Sequence, residues 1–454
     1  MGSLVHVKEA TIVTPSESTP TRVLSLSALD SQLFLRFTIE YLLVYKAHPG
    51  LDQRATTARV KAALAKALVP YYPLAGRVRA KPDGSGGLEV VCRAQGALFI
   101  EAGSDHSVNE FEKAPRFVTQ WRKLLSFHVA DVLKGAPPLV VQLTWLKDGN
   151  AALGVGFNHC LCDGIGSAEF LNSFAELAAS SSTTTASQTK FSEFKFKPKP
   201  IWDRHLLNPT SFKPTRNNNS NITNNSLSHP EFNRVPDLCG FLARFSNERL
   251  VPTSFIFNKT SLNELKKVAI STSRLSELNY TSFEVLSAHI WRSWARALNL
   301  PSNQTLKLLF SINVRDRVKP SLPSGYYGNA FVLGCAQTSV KELTEKGLGY
   351  ATMLVKRAKE RVDSELVKSV VESVSQGRAS PDSVGVLILS QWSRLGLDKV
   401  DFGMGRPVNV GPICCDRYCL LLPVFNQTDA VKAMVAVPTT AAQRYEHLVR
   451  SFCS

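Results

Sequence analysis

The chain has 454 residues, of which 44% are hydrophobic and 20% charged. This length exceeds the usual size of one compact core and predicts two domains. Its formal net charge is +16, but Lys and Arg are spread along the chain, which does not favour nucleic-acid binding and fits a solvated basic surface or attraction of a phosphorylated ligand. Apolar runs fall far short of the ~20 residues of a spanning helix and no secretory leader is visible, so we expect a cytoplasmic protein without membrane or nucleic-acid partners.

The first half of the chain contains a predicted helix, a hairpin and a second helix. Apolar residues at helical spacing between 60 and 68 predict a helix that ends before Pro70. The β-branched and aromatic run Leu139–Leu146, an Asp-Gly turn and the apolar run Ala151–His159 predict a hairpin whose return strand ends at a histidine. After Gly164 apolar residues recur every three or four positions, which predicts an amphipathic helix.

A long polar segment separates the two halves. Residues 191–245 mix aromatic, proline and basic residues with the Asn- and Ser-rich stretch Asn217–Ser228, a composition that cannot bury much apolar area. We therefore expect an N-terminal domain over 1–190, a long crossover over 191–245 and a C-terminal domain over 246–454.

The second half also mixes helices and strands. Thr281 and Glu284 have the spacing of a capping box, and apolar residues at helical spacing continue to Leu298. A further amphipathic helix is predicted over Tyr350–Val362. The predicted strands cover Leu308–Val314, Val384–Leu389, Tyr418–Val424 and Val431–Val437. The pattern in both halves predicts a mixed α/β (α+β) fold class.

The most informative motif is His-x-x-x-Asp-Gly, formed by His159–Gly164 at the predicted strand-to-helix junction. Such a junction fixes a side chain between two packed elements while the turn stays open to a ligand. With an ordinary pKa near ~6.5, His159 could accept a proton from a hydroxyl and return it to a leaving group; a hydrogen-bonded core histidine is the alternative. Asp163 could hold the imidazole, as in a catalytic triad, or pair with a distant Arg, and the spacing does not decide between them.

The nine cysteines are irregularly spaced, which favours free thiols over a disulfide framework. Cys160 and Cys162 lie inside the motif, but the chain lacks the paired Cys-x-x-Cys pattern of zinc sites. We therefore expect no metal site.

Four segments together resemble the plant BAHD acyltransferases, in order and approximate spacing and over essentially the whole chain. They are the His159–Gly164 motif, the Tyr-Tyr-Pro-Leu-Ala-Gly-Arg run Tyr71–Arg77, the stretch from Asn313–Arg317 to Gly325–Asn329, and the Asp-Phe-Gly-Met-Gly run Asp401–Gly405. The resemblance implies a two-domain, chloramphenicol-acetyltransferase-like fold. It also implies a channel between the domains that admits an acyl-coenzyme A from one face and an acceptor from the other.

The resemblance also assigns roles to the motif residues. It implies that His159 is the general base, that Asp163 turns away to pair with Arg315, and that Gly164 belongs to the supporting turn. It places Trp392 and Ser390 in the channel near the thioester carbonyl oxygen, which becomes negatively charged during the reaction. Plain packing is the alternative for Trp392.

Two further groups of residues have expected roles. The predicted helix start at Thr281 and Ser282 is a candidate site for coenzyme A, because helix N-termini bind anions, although an ordinary helix cap explains the same residues. Asp401, Gly403 and Gly405 are expected to support the channel, and Met404 stands where the family has Trp, as a flexible apolar replacement.

The expected activity is transfer of an acyl group from coenzyme A to an alcohol by direct attack, without a covalent enzyme intermediate. The acyl group could be hydroxycinnamoyl, benzoyl, acetyl or fatty acyl. We expect a monomer with no permanently bound cofactor. Residues 380–391 contain no Lys or Arg, which favours a neutral alcohol over an acidic one. The alternative is a non-catalytic relative that acts as an accessory or binding protein.

Overall fold

The computed structural model describes residues 5–127, 132–180, 198–212, 228–273, 279–377, 379–416 and 418–451. These residues form two six-stranded sheets, one small three-stranded sheet and helices that pack on them. The predicted mixed α/β class is therefore confirmed.

The first sheet carries the histidine motif. Its strands, in spatial order, are β1 (Val5–Val13), β6 (Ala97–Ser104), β7 (Leu139–Leu146), β8 (Ala151–Asn158), β3 (Thr38–Tyr45) and β13 (Asn409–Pro412). The predicted hairpin is confirmed as β7 and β8, which pair antiparallel and are buried along their whole length. Strand β8 ends at Asn158, so His159 is the first residue beyond it.

The second sheet belongs to the second half of the chain. Its strands, in spatial order, are β11 (Phe331–Ser339), β10 (Thr305–Asn313), β12 (Val386–Gln391), β14 (Cys419–Val424), β15 (Gln427–Pro438) and β9 (Leu250–Phe257). The small sheet contains β2 (Arg22–Ser25), β5 (Leu88–Cys92) and β4 (Arg77–Ala80).

One strand of the second half joins the first sheet. β13 pairs antiparallel with β3, so the chain leaves the second sheet after β12, adds a strand to the first and returns as β14. This exchange fastens the two halves together, and the division at residues 190 and 246 does not anticipate it. The core reflects the same connection, because buried side chains of β3 and β8 share one apolar cluster with Leu420 and Met434 of the second sheet.

The helices follow the apolar spacing of the sequence. They are α1 (Gln53–Ala67), α2 (Gly164–Ser180), α3 (Phe241–Asn247), α4 (Lys259–Ser271), α5 (Ser282–Leu298), α6 (Val340–Glu345), α7 (Leu348–Glu360), α8 (Ser364–Ser375) and α9 (Thr439–Arg450). Helix α1 ends before Pro70, α2 begins at Gly164, and α5 begins with the predicted capping box. Helix α5 is almost entirely buried because α4, α7 and α9 pack around it.

Much of the predicted crossover lies outside the described residues, namely 191–197 and 213–227. Of the two described parts, 198–212 and 228–245, the first contributes a bridge between Ile201 and Tyr326, so it reaches the second half. Across the described ranges, none of the helices has both the length and the apolarity needed to span a membrane.

Candidate active site

The motif His159–Gly164 forms a tight link between β8 and α2. The backbone N–H of His159 donates to the carbonyl of Phe37 at 2.8 Å, which holds the residue beside the start of β3. The N–H of Leu161 donates to the carbonyl of Asn158 at 3.0 Å and closes the turn. The backbone is therefore fixed on both sides of the histidine before α2 begins.

Aromatic rings surround the His159 imidazole. The Phe37 ring lies edge-on at 5.1 Å between centroids, and the Phe331 ring of β11 lies at 5.8 Å. Burial among these groups lowers the pKa of His159 below its ordinary value, because the charged imidazolium loses hydration there. The lowered pKa favours the neutral form of the histidine.

Asn329 fixes which imidazole nitrogen carries the proton. Its Nδ2 donates to the Asp30 carboxylate at 2.8 Å and to the His159 carbonyl at 2.7 Å, and both partners can only accept. The Asn329 Oδ1, 3.0 Å from His159 Nδ1, must then be the acceptor of that hydrogen bond. His159 consequently carries its proton on Nδ1, and the lone pair is on Nε2.

Asp30 is buried completely and anchored by several donors. Its Oδ2 accepts from the Ser27 backbone N–H at 3.0 Å and hydroxyl at 2.7 Å, and its Oδ1 also accepts from the Asn329 backbone N–H at 2.9 Å. The guanidinium of buried Arg204 lies 3.7 Å from the same carboxylate and donates to the Leu161 carbonyl at 2.6 Å. Arg204 thus connects the crossover to the turn that carries the histidine.

Asp163 points away from His159 and binds Arg315. Two guanidinium nitrogens meet the two carboxylate oxygens at 2.9 and 3.0 Å, which is bidentate geometry. The Gly166 and Ala330 backbone N–H groups donate to the same carboxylate, at 2.9 and 3.1 Å. Although burial opposes the charge, Arg315 holds the pKa of Asp163 below its ordinary value. The spacing left open whether Asp163 holds the imidazole or pairs with a distant arginine, and the structure shows the pair with Arg315.

The pair also joins α2 to the segment around residue 327. Gly166 approaches this segment so closely that a Cβ at that position would lie 1.9 Å from the Tyr327 carbonyl oxygen. The first turn of α2 therefore requires glycine there.

Trp392 and Ser390 lie on the second sheet, on the side that faces the first. Trp392 follows β12, is nearly buried, and packs on the Tyr41 ring with centroids 4.7 Å apart. Ser390 is directly opposite Leu420 in the register of β12 and β14. Among the described residues, no hydrogen bond or ring contact joins either side chain to His159.

Thr281 and Ser282 lie apart from this cluster, at the start of α5. The Thr281 hydroxyl accepts from the Glu284 N–H at 3.3 Å, and the Glu284 carboxylate accepts from the Thr281 N–H at 2.9 Å. The reciprocal bonds of a capping box are thus present, and Thr281 itself satisfies part of the helix N-terminus.

The Asp-Phe-Gly-Met-Gly segment is a self-contained turn. Asp401 Oδ1 accepts from the backbone N–H groups of Gly403, Met404 and Gly405 at 2.7, 3.1 and 2.9 Å. Gly403 and Gly405 have φ of 79° and 86°, which side chains other than glycine rarely adopt. Met404 is buried in the core cluster around β3 and β8, where it occupies apolar space.

Sequence reasoning missed part of the cluster that surrounds His159. Asn329 is inside a quoted motif, but nothing in its spacing shows that it meets a histidine 170 positions earlier. Asp30 and Arg204 carry no motif. Their neighbours in the sequence give no signal either, and the two residues become meaningful only once the fold brings them together.

The fold is that of solved acyltransferases. The structure matches vinorine synthase with a TM-score of 0.71 at 20% identity, covering 97% of this chain and 96% of that one. It also matches TRI101 of F. sporotrichioides, solved with coenzyme A and T-2, with a TM-score of 0.69 at 17% identity, covering 94% and 97% of the two chains.

Sequence comparison identifies the family to which the chain belongs. A family model described as the Transferase family matches residues 3–450. Omega-hydroxypalmitate O-feruloyl transferase of Arabidopsis thaliana is 31% identical, covering 97% of this chain and 92% of its own. Taxadien-5-alpha-ol O-acetyltransferase of Taxus chinensis is 32% identical, covering 97% of this chain and 95% of its own. Benzyl alcohol O-benzoyltransferase of Petunia hybrida is also 32% identical, covering 90% of this chain and 83% of its own. The chain belongs to this transferase family, the plant BAHD acyltransferases.

Proposed function

We propose that this protein is a cytoplasmic, acyl-CoA-dependent O-acyltransferase in which His159 is the general base. The observation that carries the proposal is the tautomer of His159. Asn329 binds the protonated Nδ1, so the basic Nε2 is the nitrogen left for an acceptor hydroxyl.

The reaction needs one base and no covalent enzyme intermediate. His159 Nε2 removes the acceptor's hydroxyl proton while the oxygen attacks the thioester carbonyl. The tetrahedral intermediate then collapses, the carbon–sulfur bond breaks, and the imidazolium returns the proton to the leaving thiolate. The products are the ester and free coenzyme A.

The surroundings of His159 suit both of its protonation states. Burial keeps the resting imidazole neutral, while the nearby carboxylates of Asp163 and Asp30 favour the imidazolium that forms during the reaction. Asp163 and Asp30 act through space and through Asn329, so we assign them as positioning residues.

The transition state also needs hydrogen-bond donors for the oxyanion, and losing one such donor costs ~10²-fold or more in rate. We place Ser390 and Trp392 in a channel between the two sheets, near the oxyanion, because both lie on the face of the second sheet that meets the first. For coenzyme A we keep Thr281 and Ser282 at the start of α5 as the candidate anion site, with the capping box as the competing explanation.

The relatives suggest which substrates to try. Their names specify feruloyl, acetyl and benzoyl transfer, and the acceptors named are omega-hydroxypalmitate, taxadien-5-alpha-ol and benzyl alcohol. A panel of feruloyl-, acetyl-, benzoyl- and palmitoyl-CoA against fatty, aromatic and terpenoid alcohols covers these classes.

The test is release of free thiol together with detection of the ester by mass spectrometry. We expect at least one donor–acceptor pair to give both products, and no product with His159→Ala. If no pair reacts, or if release is undiminished in His159→Ala, the proposal is wrong. Absence of turnover with retained acyl-CoA binding would favour the non-catalytic accessory protein instead.

A further inference from the structure

A small pocket lies between the two sheets, away from His159. Its walls come from β3 and β13 on one side, β9 and β15 on the other, and the loop 111–115 at its rim; they include Leu42, Pro412, Ser254, Met434, Asn409 and Lys432. The pocket opens to solvent, and the space in it that protein atoms leave free, solvent included, is about 390 Å³. Most of the lining side chains are apolar.

Lys432 is the charged group inside this pocket. Along β15, Ala433 and Val435 pack into the core of the second domain, so the alternation of the strand turns Lys432 and Met434 toward the first sheet. The ammonium donates to Asn409 Oδ1 at 2.9 Å, and no described carboxylate forms an ion pair with it. An ammonium has three donors, so two of them have no partner among the described residues.

The surroundings of Lys432 favour its positive charge less than water does. Burial lowers the pKa of Lys432 to about 8, because no neighbouring charge offsets the lost hydration. The other titratable groups that line the pocket, Glu112 and Lys113, are exposed on the rim. A half-buried cation with two donors left over, beside apolar side chains, is the electrostatic complement of a bound anion.

We infer that Lys432 and Asn409 form a binding site for a carboxylate at the far end of one substrate, either the acyl chain or the acceptor. The inference rests on the proposed acyl transfer, since it names the chemistry of that reaction's substrates. It changes the expectation of a neutral acceptor, which was drawn from residues 380–391 alone.

The distance to the reaction centre limits the ligand. Lys432 is directly opposite Leu422, and the Trp392 N–H binds the neighbouring carbonyl of Leu421, so Lys432 and Trp392 are two strand spacings apart, roughly 10 Å. Along β3, Leu42 in the pocket is four residues beyond Thr38, which pairs with the residue before His159, and four residues span roughly 13 Å. The substrate therefore has its carboxylate and its reacting group at opposite ends of a chain roughly this long, as in a medium-chain dicarboxylic or ω-hydroxy acid.

The experiment compares each acid with its methyl ester. In the donor arm, azelaoyl-CoA and its methyl ester are tested with one alcohol. In the acceptor arm, ω-hydroxynonanoic acid and its methyl ester are tested with one acyl-CoA. We expect wild type to prefer the acid in one arm by on the order of 10²-fold in kcat/KM, and Lys432→Met to lose that preference while keeping turnover of the ester. The arm that responds identifies the source of the carboxylate.

Lys341→Met is the matched control, because Lys341 is an exposed lysine on α6. We expect it to keep the acid preference. We also expect Lys432→Met to unfold at the same or a higher temperature than wild type, since an apolar side chain in place of a half-buried cation without an ionic partner is neutral or stabilising.

Calorimetric binding of azelate to wild type and Lys432→Met needs no turnover, so it separates this inference from the proposed reaction. Binding that is lost in Lys432→Met supports the site even if no ester forms. The inference is overturned if azelate binds neither protein, or if acids and esters react alike in wild type. It is equally overturned if Lys432→Met weakens binding of coenzyme A itself, which would assign the lysine to a phosphate, or if it lowers thermal stability and all activities together, which would make it structural.

Discussion

Replacing Asn329 with Ala tests the tautomer argument most sharply. The variant removes the acceptor that meets His159 Nδ1 at 3.0 Å and leaves Asp30 with its Ser27 donors and the backbone N–H of residue 329. Losing a buried hydrogen bond costs about 1–3 kcal/mol. Since about 1.36 kcal/mol is a factor of ten in rate, kcat should fall roughly 10- to 10²-fold. KM should change little, because Asn329 does not face the substrate in this account.

The pH profile distinguishes this role from a structural one. The Asn329 hydrogen bond raises the pKa of His159, so its loss should move the acid limb of the kcat/KM profile to lower pH. Asn172→Ala is a suitable control, because this amide binds the Ala168 carbonyl on α2, outside the His159 cluster. An Asn329→Ala enzyme with wild-type kcat and an unshifted acid limb would refute the tautomer argument.

Four further outcomes are expected. In wild type the acid limb of kcat/KM should have its midpoint below pH ~6.5, because burial lowers the pKa of His159 and activity requires its neutral form; a midpoint above that value would contradict the burial argument. Asp163→Asn should lower the free energy of unfolding by about 3–5 kcal/mol in urea titrations, because it removes the carboxylate charge that the largely buried Arg315 guanidinium faces, and a loss under about 1 kcal/mol would be inconsistent with the bidentate pair. Met404→Ala should cost about 2–5 kcal/mol through the cavity it creates, while Met404→Leu should cost less than about 1.5; equal losses would mean that Met404 does not fill core space. Gly403→Ala should destabilise the protein by about 1 kcal/mol or more, since φ there is 79°, and unchanged thermal unfolding would argue against backbone strain.

Much of the local structure followed from periodicity. The hairpin Leu139–Asn158, the start of α2 at Gly164 and the capping box of α5 depend on residues close in sequence, and the sequence predicted all three. Strand β13 was missed because a four-residue segment has no periodicity of its own. Its place in the first sheet depends on a partner more than 300 positions away.

The residues of the candidate site also divide into those that the sequence predicted and those that it did not. His159 and Asp163 were found from a motif, and Arg315 as the partner of Asp163 came from family resemblance. Asp30 could not have been found, because its link to His159 runs through Asn329, which is 299 positions away. Lys432 lies in a segment with the alternation of an ordinary strand, and only the packing of β15 against the first sheet makes it a half-buried cation.

The central claim is that His159 is the base of an acyl transfer from coenzyme A. The most direct measurement is single-turnover ester formation by wild type and His159→Gln, with acyl-CoA binding measured calorimetrically on the same samples. The account predicts unchanged acyl-CoA affinity and a loss of ester formation of at least ~10²-fold in the variant. Ester formation at the wild-type rate by His159→Gln would contradict it.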